Sequence, residues 1–331
     1  MSVQKKSRHL AALLAVAALL ALAGGLFSAC SRDPNVRKQK YLESGNGYMA
    51  KGKYREAAIE YQNALQIDAE FLPAHAQLGD ALLKLGAFPQ AAREFSKVIQ
   101  LDPKNVKAQL ELGNLLLAVR QFKAAQEHAQ AVLALEPDNV EAHVLLANTE
   151  AGLEDLPAAL EEIQKAIALN PSRSPSYLSL ALFQARAGES ADAEKSFQKA
   201  LELDPKSIAA MLALGNFYQQ QNRMADAEQE LRQAMALEPA NHLPVLALAR
   251  LLVAEGKKDQ AEQVVKDAQP SLRNNPSGYR LLGEFYLSQG DLPRATEEYA
   301  ALVQQHPKDQ RLRSDYVQLL IQGTAWMTLP S

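Results

Sequence analysis

The sequence predicts an all-α chain, an α-solenoid of about eight helical hairpins followed by a C-terminal capping helix. Three observations predict it. A 34-residue step returns alanine every time, at Ala57, Ala91, Ala125, Ala159, Ala193, Ala227, Ala261 and Ala295. The same step from Gly45 meets only glycine or alanine, at Gly45, Gly79, Gly113, Ala147, Ala181, Gly215, Ala249 and Gly283. Proline holds the register at Pro103, Pro137, Pro171, Pro205, Pro239 and Pro307. A period of this length is the mark of stacked repeats, each too small to bury its own apolar face.

Before the repeats stands a different kind of sequence. Lys5, Lys6 and Arg8 precede an uncharged apolar run of 18 residues, Leu10 to Phe27, and Ser28-Ala29 leads into Cys30, the only cysteine. This order reads as an export signal over residues 1–29. Leu26-Phe27-Ser28-Ala29-Cys30 resembles a bacterial lipobox, although Phe27 stands where leucine is usual. The resemblance implies cleavage before Cys30, a diacylated thiol, and, with Ser31 and not aspartate behind it, sorting to the outer membrane facing the periplasm. An uncleaved signal anchor and ordinary cleavage remain open, because 18 helical residues nearly span a bilayer core. With one cysteine in the sequence, stability has to come from packing and not from disulfides. Residues 30–37 read as a polar linker.

Loss of residues 1–29 takes away three basic residues, leaving 38 acidic against 32 basic and a formal net charge of −6 in place of −3. That balance offers no footprint for nucleic acid. The chain is 47% hydrophobic and only 6% aromatic, which suits closely packed helices rich in alanine and leucine.

The eight units run 38–71, 72–105, 106–139, 140–173, 174–207, 208–241, 242–275 and 276–309. The second unit shows the logic of all. Leu78, Leu82, Leu83 and Leu85 have helical spacing, Gly86 ends that helix, and Pro89 opens the next in its first turn. Ala92, Phe95, Val98 and Ile99 then share a face until Asp102-Pro103 stops the second helix.

Departures from this pattern carry expectations. The first unit has Ala69 in the proline place; the third has Ala129 at an aromatic place and the fourth Glu150 at an apolar one, so packing should be looser at both. In the seventh, Pro270 comes early and should shorten the second helix. Residues 310–331 form the cap and tail: Leu312, Tyr316, Leu319 and Leu320 give Gln310–Gln322 an apolar face, and the pattern stops at Gly323.

Leu78-Gly79, Leu82, Ala91, Phe95 and Pro103 resemble the signature of the tetratricopeptide repeat, and the resemblance extends over residues 38–309. It implies a right-handed solenoid whose first helices line a concave groove, with the fifth and ninth positions of each unit facing it. The fifth position reads Leu42, Ala76, Leu110, Val144, Leu178, Leu212, Leu246 and Arg280. The ninth reads Asn46, Asp80, Asn114, Asn148, Leu182, Asn216, Arg250 and Glu284. An asparagine amide both donates and accepts, so it can hold a peptide backbone whatever the ligand's sequence. Partner-binding candidates are therefore Asn46, Asp80, Asn114, Asn148, Asn216 and Arg250, with Leu110, Leu178, Leu212 and Leu246 beside them. Half-burial between neighbouring helices would equally explain the leucines. The chaperone clamp of this family needs lysine four residues before asparagine; Leu42 stands there, so capture of a terminal carboxylate is not expected in the first unit. Arg250 and Arg280 could hold an acidic group near the far end, although exposure to solvent is the expectation.

Catalytic motifs are weak. Gly45-Asn46-Gly47-Tyr48-Met49-Ala50 has the letters of a dinucleotide fingerprint but lies inside a repeat helix. Ser196 and Lys199 have the spacing of penicillin-binding enzymes without a companion motif. His75 and His143 sit at the fourth position two units apart, too far to share a metal. No catalytic residue, metal or cofactor is expected. The expected function is a membrane-anchored scaffold binding a protein or peptide in its groove. Its setting would be bacterial envelope assembly, secretion, pilus or exopolysaccharide export. The alternative is a non-catalytic recruitment subunit of an envelope glycan-processing or sorting system, using the convex side or the cap.

Overall fold

A computed structural model describes residues 33–327, with side chains through residue 322. The expected signal segment 1–29, Cys30 and the last four residues lie outside the described residues. Among the described residues every regular element is a helix. They divide into two compact units, one ending at Leu169 and the other beginning at Asn170.

The first unit holds α1 (Pro34–Met49), α2 (Tyr54–Ile67), α3 (Leu72–Lys84), α4 (Phe88–Leu101), α5 (Val106–Ala118), α6 (Phe122–Leu135), α7 (Val140–Gly152) and α8 (Leu156–Leu169). The second holds α9 (Ser174–Arg186), α10 (Ser190–Leu203), α11 (Ile208–Gln220), α12 (Met224–Leu237), α13 (His242–Ala254), α14 (Lys258–Leu272), α15 (Pro276–Tyr279), α16 (Leu281–Ser288), α17 (Leu292–Gln305) and α18 (Gln310–Met327). Within each unit a hairpin's second helix packs on the next hairpin's first. First helices also touch one another, as α1 with α3, α5 with α7, α9 with α11 and α11 with α13.

Each hairpin turns through a residue in the left-handed region. Glycine supplies it at Gly52, Gly86, Gly188, Gly256 and Gly290, while Arg120, Glu154 and Asn222 adopt φ of 62°, 71° and 60° in its place. The next unit opens on a side-chain cap: Asn105 accepts from the Ala108 N–H at 3.1 Å, Asn139 from Ala142 at 2.9 Å, and Asp309 from Leu312 at 3.0 Å. Asp33 caps α1 in the same way, with Pro34 at its first turn, so the helix begins inside the stretch expected to be a polar linker.

All eight periodic alanines are fully buried. The small residue before them lies under the second helix's largest side chain. A Cβ added to Gly45 would come within 2.4 Å of Tyr61, one on Gly79 within 2.7 Å of Phe95, and one on Gly283 within 2.6 Å of Tyr299. Alanine replaces this glycine in three units: the facing place holds Ile163 against Ala147 and Val265 against Ala249, both smaller, but Phe197 against Ala181.

Polar ties cross from repeat to repeat. The His75 ring bonds Glu94 at 2.6 Å and the Ala69 carbonyl at 3.0 Å; His143 bonds Glu162 at 2.6 Å and the Pro137 carbonyl at 2.9 Å. Gln109 occupies the equivalent place, donating to the Pro103 carbonyl at 3.0 Å and bonding His128. In the second unit the Tyr218 hydroxyl donates to Glu194 at 3.0 Å while Arg223 stacks on its ring and pairs with Glu194 and Asp226. Tyr286, Glu262, Arg294 and Asp291 build the same clasp again.

Three expectations need correction. The third repeat is not loose at Ala129, because Leu145 from α7 fills the vacated place, 1% exposed and against Gly113. Pro270 does not shorten its helix: α14 runs 15 residues to Leu272, one more than the second helices α10 and α12. Pro270 has no N–H for the Lys266 carbonyl and crowds it, but Leu272, fully buried against Gly278, holds the helix past it. The break appears instead in the following first helix, split at Arg280 into α15 and α16. Finally, Gly323 does not end the cap, since α18 continues to Met327. Glu150 is half-buried, and its Oε2, itself covered, has no hydrogen-bond partner among the described residues.

Candidate functional site

The ninth-position residues face outward from the first helices, and the structure sorts them into paired and unpaired. In the first unit Asn46 is exposed, but its amide oxygen accepts from the Tyr61 hydroxyl at 2.9 Å. Burial and the Asp80 charge push that phenol up to about 12, so it stays a donor. Asp80 is held by Lys107 at 2.5 Å, and nearby Glu111 is pushed above the usual carboxylate range by burial and by the Asp80 charge. Asn148 turns back to donate to the Val144 carbonyl at 2.8 Å. Only Asn114 is exposed with an amide that makes no hydrogen bond among the described residues.

The second unit repeats the contrast. Leu182 is 43% exposed, and Asn216 and Arg250 are exposed with no side-chain partner among the described residues. Leu178, Leu212 and Leu246 are half-buried, as is Leu110 in the first unit. Each leucine therefore supports the neighbouring first helix and still offers an apolar edge. Arg280 departs from expectation: it is 6% exposed, donates to the Pro276 carbonyl at 2.9 Å and pairs with Asp315 of α18 at 3.8 Å. A buried guanidinium without a partner would be costly, so the cap helix supplies one.

Sequence reasoning missed a cavity in this unit. Between α13 and α16 lies a space of about 380 Å³ walled by Leu246, Val253, Leu281 and Phe285, with Arg250 and Glu284 also lining it. The ninth-position pattern did point at Arg250 and Glu284, but no periodic signal marks Val253 or Phe285 as walls.

The catalytic letter matches dissolve into packing. Gly45 lies under Tyr61 inside α1, and Ser196 is buried, donating to Gln184 at 2.7 Å. Among the described residues no group of histidine, cysteine or carboxylate side chains is placed to hold a metal, and no helix is long and apolar enough to cross a membrane.

Hairpins of this geometry, with polar side chains presented from one set of helices, define a helical-repeat scaffold. Tetratricopeptide repeat models match residues 45–86, 79–119, 110–174, 184–236 and 225–285, and the chain belongs to the tetratricopeptide repeat family. Among solved structures, yeast Tom70 shares 17% identity over 87% of this chain and 64% of its own, with a TM-score of 0.64. A tetratricopeptide repeat protein from Parabacteroides merdae shares 15% over 76% of this chain and 99% of its own, with a TM-score of 0.62. These two likenesses are of fold. A MamA fragment from Desulfovibrio magneticus is 27% identical over 52% of this chain and 97% of its own, with a TM-score of 0.48. No curated protein matches the sequence.

Proposed function

We propose that this chain is a membrane-anchored scaffold that holds an extended segment of a protein partner along its first helices. The setting is envelope assembly, secretion, pilus or exopolysaccharide export. One observation carries the binding part: Asn114 and Asn216 are exposed and unpaired, each with a half-buried leucine, Leu110 or Leu212, four residues earlier on its helix. An amide and an apolar edge together suit a peptide backbone and its side chains. Asn114→Ala with Asn216→Ala should weaken partner binding at least tenfold in pull-downs, while Asn46→Ala and Asn148→Ala, whose amides already have local partners, should do less. Equal effects from all four would sink the assignment.

The anchor rests on the basic start, the apolar run and Cys30. Diacylation of Cys30 and an outer-membrane address follow from the lipobox resemblance with Ser31 behind it. Cys30→Ala should move the protein from the membrane to the wash fraction; retention would favour an uncleaved anchor.

A second reading has the chain recruit a glycan-processing or sorting enzyme by its cap. It draws on Val317 and Ile321 of α18, 53% and 62% exposed.

A further inference from the structure

The cavity between α13 and α16 has features that the asparagine positions lack. At repeats three and six one amide supplies both a donor and an acceptor. At repeats seven and eight the ninth position is split between Arg250, which only donates, and Glu284, which only accepts. Both line the cavity, both are exposed, and no ion pair joins them or ties either to another side chain among the described residues. Elsewhere in this unit Arg223, Arg232, Lys266 and Arg294 are each closed onto a carboxylate. The space that both of them line is about 380 Å³ and mostly apolar, more than a single aliphatic side chain fills.

We propose that this cavity is the selectivity pocket of the chain, taking one aromatic side chain of a bound peptide while Arg250 and Glu284 hold the carbonyl and the N–H of its backbone. This rests on the reading that first helices bind an extended peptide, and it adds where that peptide's sequence is read. Arg250 and Glu284 cancel in charge, so the pocket selects by shape and apolarity and not by ligand charge. Leu246 and Val253 meet one side of the ring, Leu281 and Phe285 the other. Aromatic side chains gain most from such a site because they bury a large area with few rotatable bonds.

The test uses the full chain in detergent and a phage-displayed library of random dodecapeptides, selected in parallel against wild type and Ala254→Trp. Ala254 lines the cavity from an exposed position, so a larger side chain there fills the space without disturbing the core. Wild type should enrich peptides with an aromatic residue at a fixed place. A synthetic copy of the best should bind Ala254→Trp, and separately Arg250→Ala with Glu284→Ala, at least tenfold more weakly, and lose as much when its aromatic residue becomes alanine. Peptides that weaken with Asn114→Ala and Asn216→Ala but ignore Ala254→Trp would overturn the pocket and leave the binding face standing. Enrichment insensitive to every variant, or no enrichment at all, would overturn both.

Discussion

Gly79→Ala should destabilise the protein by about 2 kcal/mol, and Phe95→Ile in the same chain should recover a good part of that loss. The added Cβ would stand 2.7 Å from the Phe95 ring, a distance that forces either the ring or the helix to move. Neither is free, since Phe95 is 1% exposed and Gly79 is buried within α3. Two units carry a compensated pair, Ala147 with Ile163 and Ala249 with Val265, while a third holds Phe197 in the place facing Ala181, so the clash at Gly79 belongs to the spacing of α3 and α4. Alone, Phe95→Ile should cost about 1–2 kcal/mol by leaving a void over glycine. Urea unfolding of the two single variants and the double variant, followed by helical circular dichroism, should therefore show a coupling of about 1 kcal/mol or more. Strictly additive losses would mean that the small residue serves something other than clearance for the facing ring.

The second large effect concerns Glu150. Burial, with the Glu162 and Asp155 charges added, raises its carboxyl from an ordinary 4.5 to about 7. Its Oε2 finds no partner, at a place where Leu82, Leu116 and Leu252 stand in other repeats. The sign follows from linkage. Below about 4.5 both folded and unfolded chains are protonated there and no cost arises. As the pH rises toward 7 the unfolded chain releases the proton while the folded chain keeps it, so stability falls across that window and stays low above it. Since the residue is partly open to solvent, the loss is discounted to about 1–2 kcal/mol. Glu150→Gln should accordingly be more stable than wild type at pH 8, equal to it at pH 4, and should lack this part of the pH dependence. Melting curves at both pH values check it; an equal gain at both would assign the effect to packing alone.

The 34-residue register made the hairpins legible because it records steric requirements that recur identically: clearance at Gly79, burial at Ala91, a stop at Pro103. The capping residues Asn105 and Asn139 were not singled out by the register, which follows apolar and small residues, and the structure shows them closing the first turns of α5 and α7. Departures were harder to read because compensation came from another repeat. Ala129 looks like a hole until Leu145 is placed across from it, and a shortened α14 looks necessary until Leu272 is seen buried against Gly278. The candidate site was legible at the level of position and not of state. Four asparagines share the ninth place, yet Tyr61 occupies Asn46 and the Val144 carbonyl occupies Asn148. Sequence spacing cannot show that a hydroxyl 15 residues away reaches the amide. Nor did any pattern announce the cavity, whose walls combine places that in other repeats only pack.

The central claim is that a partner lies along the first helices, and photo-crosslinking from defined positions tests it most directly. A photoreactive residue would be placed at Asn216 on α11, at Gln233 on the exposed side of α12, or at Val317 on α18, each in the full chain in its native cell. A partner adduct from Asn216, reduced by excess of a peptide that binds the wild-type chain and absent from Gln233 and Val317, is the predicted result. An adduct from Gln233 or Val317 with none from Asn216 would contradict it and move the binding surface to the second helices or the cap.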